Sequence, residues 1–186
     1  MNLPNKLTLL RVILVPFFVF FLLTDIVPFS KIIALAIFIA ASITDALDGH
    51  IARSRNLVTT FGKFLDPLAD KVLVIAALVC FCELGIVGSV PLLIIITREF
   101  MVSGLRLVTA NEGVVVAAGI WGKLKTAFTM VAEVVILLGL CFNFEGNMAE
   151  IANIVYQVLI WIATALTVIS GGVYLKGYWK YIDASK

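Results

Sequence analysis

The chain reads as an all-α integral membrane protein: six transmembrane helices preceded by a short N-terminal interfacial helix. Three observations lead there. The composition is too apolar for a soluble domain, 62% hydrophobic and 14% charged with a mean hydropathy of +1.11, where soluble chains carry charged residues at about a quarter. The 186 residues accommodate about six spans of roughly 20 residues with short connections. When those spans are threaded back and forth, the basic residues gather on one side. A single transmembrane domain over residues 1–186 accounts for the whole sequence, with no internal repeat, low-complexity segment or soluble domain.

Met1–Arg11 is short and basic, with Leu3, Leu7 and Leu10 at helical spacing, the pattern of an interfacial helix leading into the membrane. Leu7–Leu23 is the first span, with Arg11 near its entry and Pro16 a candidate kink. No small-residue cleavage site follows this apolar run, so it is expected to remain as a span. Asp25–Ser30, with Pro28, is the first turn. Lys31–Arg53 is the second span, and its last third carries acids that cannot face lipid.

Asn56–Phe61 reverses the chain into the third span, Gly62–Glu83, where Pro67 lies in the first turns and its missing N–H costs least. Gly85–Ser89 is a short loop. Val90–Leu107 is the fourth span, unusual in holding Arg98, Glu99 and Arg106 in its second half. Thr109–Gly122 lacks a clear period and has room for a short amphipathic piece. Lys123–Phe142 and Ile151–Leu175 complete the set. Cys80, Cys82 and Cys141 are odd in number, lie in apolar runs and lack a metal-ligand rhythm, so they read as small lipid-facing or core residues.

Of the 14 basic residues, 13 fall on one side: Lys6, Arg11, Arg53, Arg55, Lys63, Lys71, Arg98, Arg106, Lys123, Lys125, Lys176, Lys180 and Lys186. Only Lys31 falls on the other. The positive-inside rule makes the populated side cytoplasmic, both termini included. The expected location is therefore the cell membrane, multi-pass, with no nucleic-acid partner. Trp121, Tyr174, Tyr178, Trp179 and Tyr181 read as an interfacial aromatic belt.

The chemistry concentrates between Thr44 and Lys71. Asp45 and Asp48 are three apart and share a helix face; Gly62, Asp66 and Asp70 step by four and share another. Four carboxylates brought together on antiparallel helices repel unless a cation sits between them, and hard oxygen ligands at this density suit Mg²⁺ or Mn²⁺ over zinc. Gly49 and Gly62 remove side chains where something bulky must approach the backbone. Arg53 offers the planar fork of donors that fits a phosphate. Each feature has a plainer reading. Aspartates also cap solvated helices, glycines pack membrane helices, and basic residues at span ends anchor topology; Lys63, Lys71 and Arg55 read that way. His50 is off the acid face, and Glu133, two turns into the fifth span, reads as a polar contact within the bundle or a proton relay.

Span counting sets Arg98, Arg106, Lys123 and Lys125 beside the aspartates. An acid cluster next to a cation cluster suits phosphoryl transfer between two phosphate-bearing molecules, with a metal neutralising the bridging oxygens and a base taking a hydroxyl proton. Asp70, deepest and last in the series, is the candidate base. A divalent-cation or proton-coupled transporter is the alternative from another class. It would place acids near the midplane, whereas these lie at one end of their spans.

The pattern Asp45-x2-Asp48-Gly49-x2-Ala52-Arg53-x8-Gly62-x3-Asp66-x3-Asp70 resembles the full signature of the CDP-alcohol phosphatidyltransferases. Arg98-Glu99-Phe100-x2-Ser103-Gly104-Leu105-Arg106, Gly122-Lys123-x-Lys125-Thr126 and the opening Leu3–Arg11 resemble the phosphatidylglycerophosphate synthase branch. The resemblance implies a six-helix protomer, a homodimer and two divalent ions held by Asp45, Asp48, Asp66 and Asp70. It implies CDP-diacylglycerol at Asp48, Gly49, Ala52, Arg53 and Gly62, Asp70 as base, and glycerol 3-phosphate at Arg98, Arg106, Lys123 and Lys125. Relatives using other acceptors, among them cardiolipin synthases and phosphatidylinositol phosphate synthases, are the nearest alternatives.

Overall fold

The computed structural model describes residues 3–54, 60–111, 119–142 and 144–179, with the side chains of 3, 4, 46–67, 70 and 111 outside the described set. Among the described residues there are six helices and no strand: α1 (Leu3–Leu23), α2 (Ser30–Ser54), α3 (Thr60–Glu83), α4 (Ser89–Asn111), α5 (Ile120–Leu140) and α6 (Asn147–Tyr178). Two stretches of them are long and apolar enough to cross a membrane unaided, Asn5–Leu23 and Asn147–Tyr178. All six carry large apolar side chains on the outside, for example Phe17, Ile39, Val79, Leu93, Val131 and Ile154. An exterior of that kind marks a surface meant for an apolar environment.

The expected interfacial helix over Met1–Arg11 is not a separate element. From Leu3 onward those residues are the first turns of α1, which runs on unbroken through Pro16. The leucines that suggested a surface helix suit a continuous apolar one equally well. The reading of Thr109–Gly122 also changes at its ends, because Thr109–Asn111 prolong α4 and Ile120–Gly122 open α5. Residues 112–118, where an amphipathic piece was expected, lie outside the described residues, as do 56–59 of the reversal. The sixth helix begins earlier than its apolar run, at Asn147, and includes Glu150 and Lys176.

Local chemistry ends the helices where turns are needed. Phe29 at φ 66° and the Ser30 hydroxyl donating to the Val27 carbonyl at 2.6 Å close the α1–α2 turn. Lys31 pairs there with Asp25 at 2.7 Å. α3 stops in a glycine cap: Gly85 takes φ +72°, and the Ile86 and Val87 N–H groups both return to the Phe81 carbonyl at 2.8 and 3.1 Å. Gln157 of α6 donates to the Ile86 carbonyl at 2.6 Å, tethering this turn across the bundle.

α1 lies antiparallel to α2, as the pairs Phe18–Phe38 (ring centroids 5.6 Å apart) and Arg11–Asp45 run in opposite senses along the two chains. α1 also packs on α3, while α6 packs on α4 and α5. The main core joins Phe18 and Leu22 of α1, Phe38 of α2, Leu78 and Phe81 of α3, Ile95 of α4, Ile136 of α5 and Ile160 of α6. Cys80 belongs to it. A smaller cluster of Val102, Leu105 and Tyr174 ties α4 to α6 at the other end. Buried hydroxyls are satisfied within their own helices: Thr129, Thr164 and Thr167 donate to the carbonyls four residues back at 2.9, 2.7 and 2.7 Å.

Glu133 is fully buried in α5, and neither carboxylate oxygen has a hydrogen-bond partner among the described residues. Among the described residues the expected polar contact is not made by a hydrogen bond; the charge that acts on Glu133 is that of Lys125, two turns earlier on α5.

The α5–α6 contact is close enough to test. A Cβ on Gly139 would overlap the Tyr156 hydroxyl, whereas one on Gly104 would meet nothing within 4 Å. Gly139→Ala is expected to lower stability by the ~1–3 kcal/mol typical of overpacking. Gly104→Ala should leave it nearly unchanged. Thermal unfolding of the two variants in the same detergent checks the difference.

Candidate active site

The acids stand on two consecutive helices. Asp45, Asp48, Gly49, Ala52 and Arg53 occupy the last three turns of α2, and Gly62, Asp66 and Asp70 the first three turns of α3. The backbone thus keeps the spacings of three and four that align each set on one helix face. The side chains of Asp48, Ala52, Arg53, Asp66 and Asp70 lie outside the described residues. Asp45 is described. Its Oδ1 meets the Arg11 guanidinium at 2.5 Å, with the Arg11 side chain 2% and the Asp45 side chain 40% exposed. Arg11 therefore holds the first carboxylate of the series from α1, and the Asp45 side chain stays partly exposed.

The cations form a site of their own. Arg98, Arg106, Lys123 and Lys125, widely spaced in sequence, line one cavity of about 720 Å³ together with Lys71, Glu99, Ser103, Thr126 and Tyr174. α3, α4, α5 and α6 each contribute to its wall. Arg98 and Lys125 are buried, while Arg106 and Lys123 are exposed. The buried pair converges on a single carboxylate: Arg98 Nη1 and Lys125 Nζ donate to Glu99 Oε1 at 2.8 and 2.7 Å. The second Arg98 nitrogen, Nη2, donates to the Ser170 hydroxyl of α6 at 2.6 Å. Gly171 gives this side chain its passage, since a Cβ there would sit 3.2 Å from Arg98 Cγ.

Tyr174 is the other organiser. Its ring lies under both Arg98 and Arg106, with the guanidinium carbons 5.5 and 5.8 Å from the centroid. Its hydroxyl accepts from the Gly119 N–H at 3.1 Å and from Arg106 Nη2 at 3.4 Å. Gly122 must lack a side chain here, because a Cβ would stand 2.9 Å from that hydroxyl. Tyr174 is thus no member of an interfacial belt. It is 5% exposed and forms part of the cavity wall. Trp121 and Trp179 are exposed as a belt requires, and Tyr181 lies outside the described residues.

Lys71 likewise departs from its expected role as a solvated anchor. It lines the cavity and its ammonium donates to the Ser103 hydroxyl, which in turn donates to the Glu99 carbonyl at 2.6 Å. Lys71 directly follows Asp70, so the cationic cavity starts one residue from the last acid of the series. Sequence reasoning missed Glu99 and Tyr174 as parts of the site. The signal for Glu99 was its place inside the Arg98-Glu99-Phe100 motif; Tyr174 carried none, because its partners come from α4 and from the start of α5.

A cavity of five cations and one carboxylate, abutting helix ends rich in aspartate, defines a protein that handles phosphorylated molecules at an apolar surface. The chain belongs to the CDP-alcohol phosphatidyltransferase family, whose model matches residues 1–169, and it is a membrane protein. It is 41% identical to the CDP-diacylglycerol–glycerol-3-phosphate 3-phosphatidyltransferase of Bacillus subtilis over 99% of this chain and 98% of that one. The enzyme of the same name from Rickettsia bellii is 39% identical over 97% of both chains. That of Haemophilus influenzae is 42% identical over 94% of this chain and 92% of its own.

The stacked arginines give a graded test of the cavity wall. Tyr174→Phe keeps the ring beneath both guanidinium groups and loses the hydroxyl; Tyr174→Leu loses both. A cation–π contact is worth about 2 kcal/mol when desolvated, as at Arg98, and about 0.5–1 kcal/mol when exposed, as at Arg106; a hydrogen bond is worth about 1 kcal/mol. The expected order of thermal stability in detergent is wild type, then Phe, then Leu, with the larger step at Leu.

Proposed function

We propose that this protein transfers the phosphatidyl group of CDP-diacylglycerol to the primary hydroxyl of glycerol 3-phosphate, giving phosphatidylglycerophosphate and CMP. The observation that carries the reading is the cationic cavity beginning at Lys71, next to Asp70. The relatives' shared name supplies the two substrates. In this reading all six helices span the cell membrane, with both termini and the site cytoplasmic, as the 13-to-1 division of basic residues supports. The family resemblance further supports a homodimer surrounded by membrane lipids.

The donor's cytidine diphosphate lies over the α2–α3 ends against Asp48, Gly49, Ala52, Arg53 and Gly62, with its acyl chains along the helices. Asp45, Asp48, Asp66 and Asp70 are a hard-oxygen donor set that fits Mg²⁺ or Mn²⁺. The partial exposure of Asp45, which Arg11 holds through Oδ1, is consistent with that use. When bound, the ions neutralise charge on the diphosphate oxygens.

The acceptor's phosphate sits among Arg98, Arg106, Lys123 and Lys125. Arg106 and Lys123, the exposed pair, meet it most directly, and the buried pair adds its field. The primary hydroxyl then turns toward Asp70, which takes its proton as the oxygen attacks the phosphatidyl phosphorus. The bond from that phosphorus to the bridging oxygen breaks, and CMP leaves with the electron pair.

Purified enzyme with Mg²⁺ or Mn²⁺ should release CMP from CDP-diacylglycerol only when glycerol 3-phosphate is present. Asp66→Ala should abolish this while leaving the protein inserted and folded, and a chelator should do so reversibly. Normal turnover in that variant would refute the metal set. Asp70→Asn should retain donor binding but lose the 10²–10⁴-fold (about that range) typical of general acid–base catalysis. Single-turnover CMP release beside a donor-binding isotherm separates the two effects. Arg106→Ala and Lys123→Ala should raise KM for glycerol 3-phosphate far more than KM for CDP-diacylglycerol. Steady-state kinetics on both substrates measure that split, and a loss confined to the donor would assign the cations to the nucleotide instead.

A further inference from the structure

A pocket built only to hold a phosphate has no use for a carboxylate. Yet Glu99 lines the cationic cavity among Lys71, Arg98, Arg106, Lys123 and Lys125. It repels the phosphate those cations attract, and it draws both buried cations onto itself. Neutralising Arg98 and Lys125 is one use for such a group, and it accounts for one oxygen. Both ion-pair bonds end on Oε1. Oε2 has no donor among the described residues, and the Glu99 side chain is 13% exposed. An ionised carboxylate only accepts hydrogen bonds and has about four lone-pair sites. Among the described residues Oε2 is therefore an unfilled acceptor, the one carboxylate oxygen left over in a cavity whose other charged lining groups, Lys71, Arg98, Arg106, Lys123 and Lys125, are all cations.

The group is also held still. Arg98 is fixed by Ser170 at 2.6 Å and by the Tyr174 ring at 5.5 Å. Lys125 is 3% exposed. The Glu99 carbonyl takes the Ser103 hydroxyl at 2.6 Å, which pins the backbone beneath the side chain. An acceptor held this firmly discriminates by geometry, since it pays little to order itself on binding.

We propose that Glu99 is a specificity-determining residue of the acceptor pocket, whose Oε2 receives the middle hydroxyl of a phosphorylated polyol while the surrounding cations hold its phosphate. The proposal rests on the reading that glycerol 3-phosphate is the acceptor, and it adds which part of that molecule is read. The phosphate supplies charge that any small phosphate ester shares. The hydroxyl next to the reacting one distinguishes a polyol phosphate from a simple alkyl phosphate, and a site built around a hydroxyl rejects the analogue lacking it.

The test compares glycerol 3-phosphate with 3-hydroxypropyl phosphate, which keeps the primary hydroxyl and the phosphate three carbons apart and lacks only the middle hydroxyl. The kcat/KM values for both are measured in detergent–lipid micelles for the wild type, Glu99→Gln and Glu99→Ala. The wild type should prefer glycerol 3-phosphate by roughly 10–100-fold, the range of a hydrogen bond to a charged group. The preference should shrink in Glu99→Gln and vanish in Glu99→Ala, because removing the hydroxyl and removing the carboxylate delete the same contact. The ratio is taken within one preparation, so it does not depend on the fraction of folded enzyme. If Glu99→Ala does not fold, Glu99→Gln alone decides.

A wild type indifferent to the middle hydroxyl overturns the proposal. So do variants that keep the wild-type ratio while both rates fall, or that lose turnover with both acceptors, since either result leaves Glu99 a structural counterion. A wild type that accepts neither compound, but releases CMP with another alcohol, refutes the acceptor reading itself.

Discussion

The shared carboxylate of Glu99 is the interaction on which one half of the molecule depends. A charged side chain at mid-helix in a membrane costs about 2.5–3.5 kcal/mol on insertion scales, and a buried ion pair is tolerable only with close geometry and further hydrogen bonds. Arg98 and Lys125 meet those conditions together. One oxygen of Glu99 serves both, Ser170 takes the second arm of Arg98, and Tyr174 lies beneath the arginine. Because those partners come from α4, α5 and α6, satisfying the charges also sets how the three helices are rotated against one another. Apolar packing between membrane helices is weakly directional; the polar cluster supplies the direction. Gly122 and Gly171 belong to the same arrangement, each leaving the space that a neighbouring tyrosine or arginine fills.

The other half is organised differently. α1, α2 and α3 share an apolar core around Phe18, Phe38 and Phe81, and the Arg11–Asp45 pair links α1 to α2 at the level where the acids begin. α3 connects the two halves. It carries Asp66 and Asp70 in its first turns, and at the next position Lys71 turns to Ser103 of α4. Glu133 is a fully buried carboxyl group with no hydrogen-bond partner among the described residues, and the charge that acts on it is that of Lys125 from the cation cluster.

Much of this was determined by the sequence alone, and the reason is locality. Hydropathy gives the class and the segments, because a span is a contiguous run. Helical spacing aligns Asp45 with Asp48 and Asp66 with Asp70, because a face is fixed by residues three and four apart. The division of Lys and Arg gathers Arg98, Arg106, Lys123 and Lys125 at one level, because depth follows from counting along a span. Pairing across helices is another matter, since it depends on rotation and lateral order that no local spacing records. Only the tertiary structure could therefore join Arg98 and Lys125 through Glu99, bring Tyr174 from α6 into the cavity wall, turn Lys71 inward and set Arg11 behind Asp45. The start of α1 was beyond the sequence for a related reason: a leucine repeat looks the same in a separate short helix and in the first turns of a longer one, and the structure shows the longer one, packed against α2 and α3.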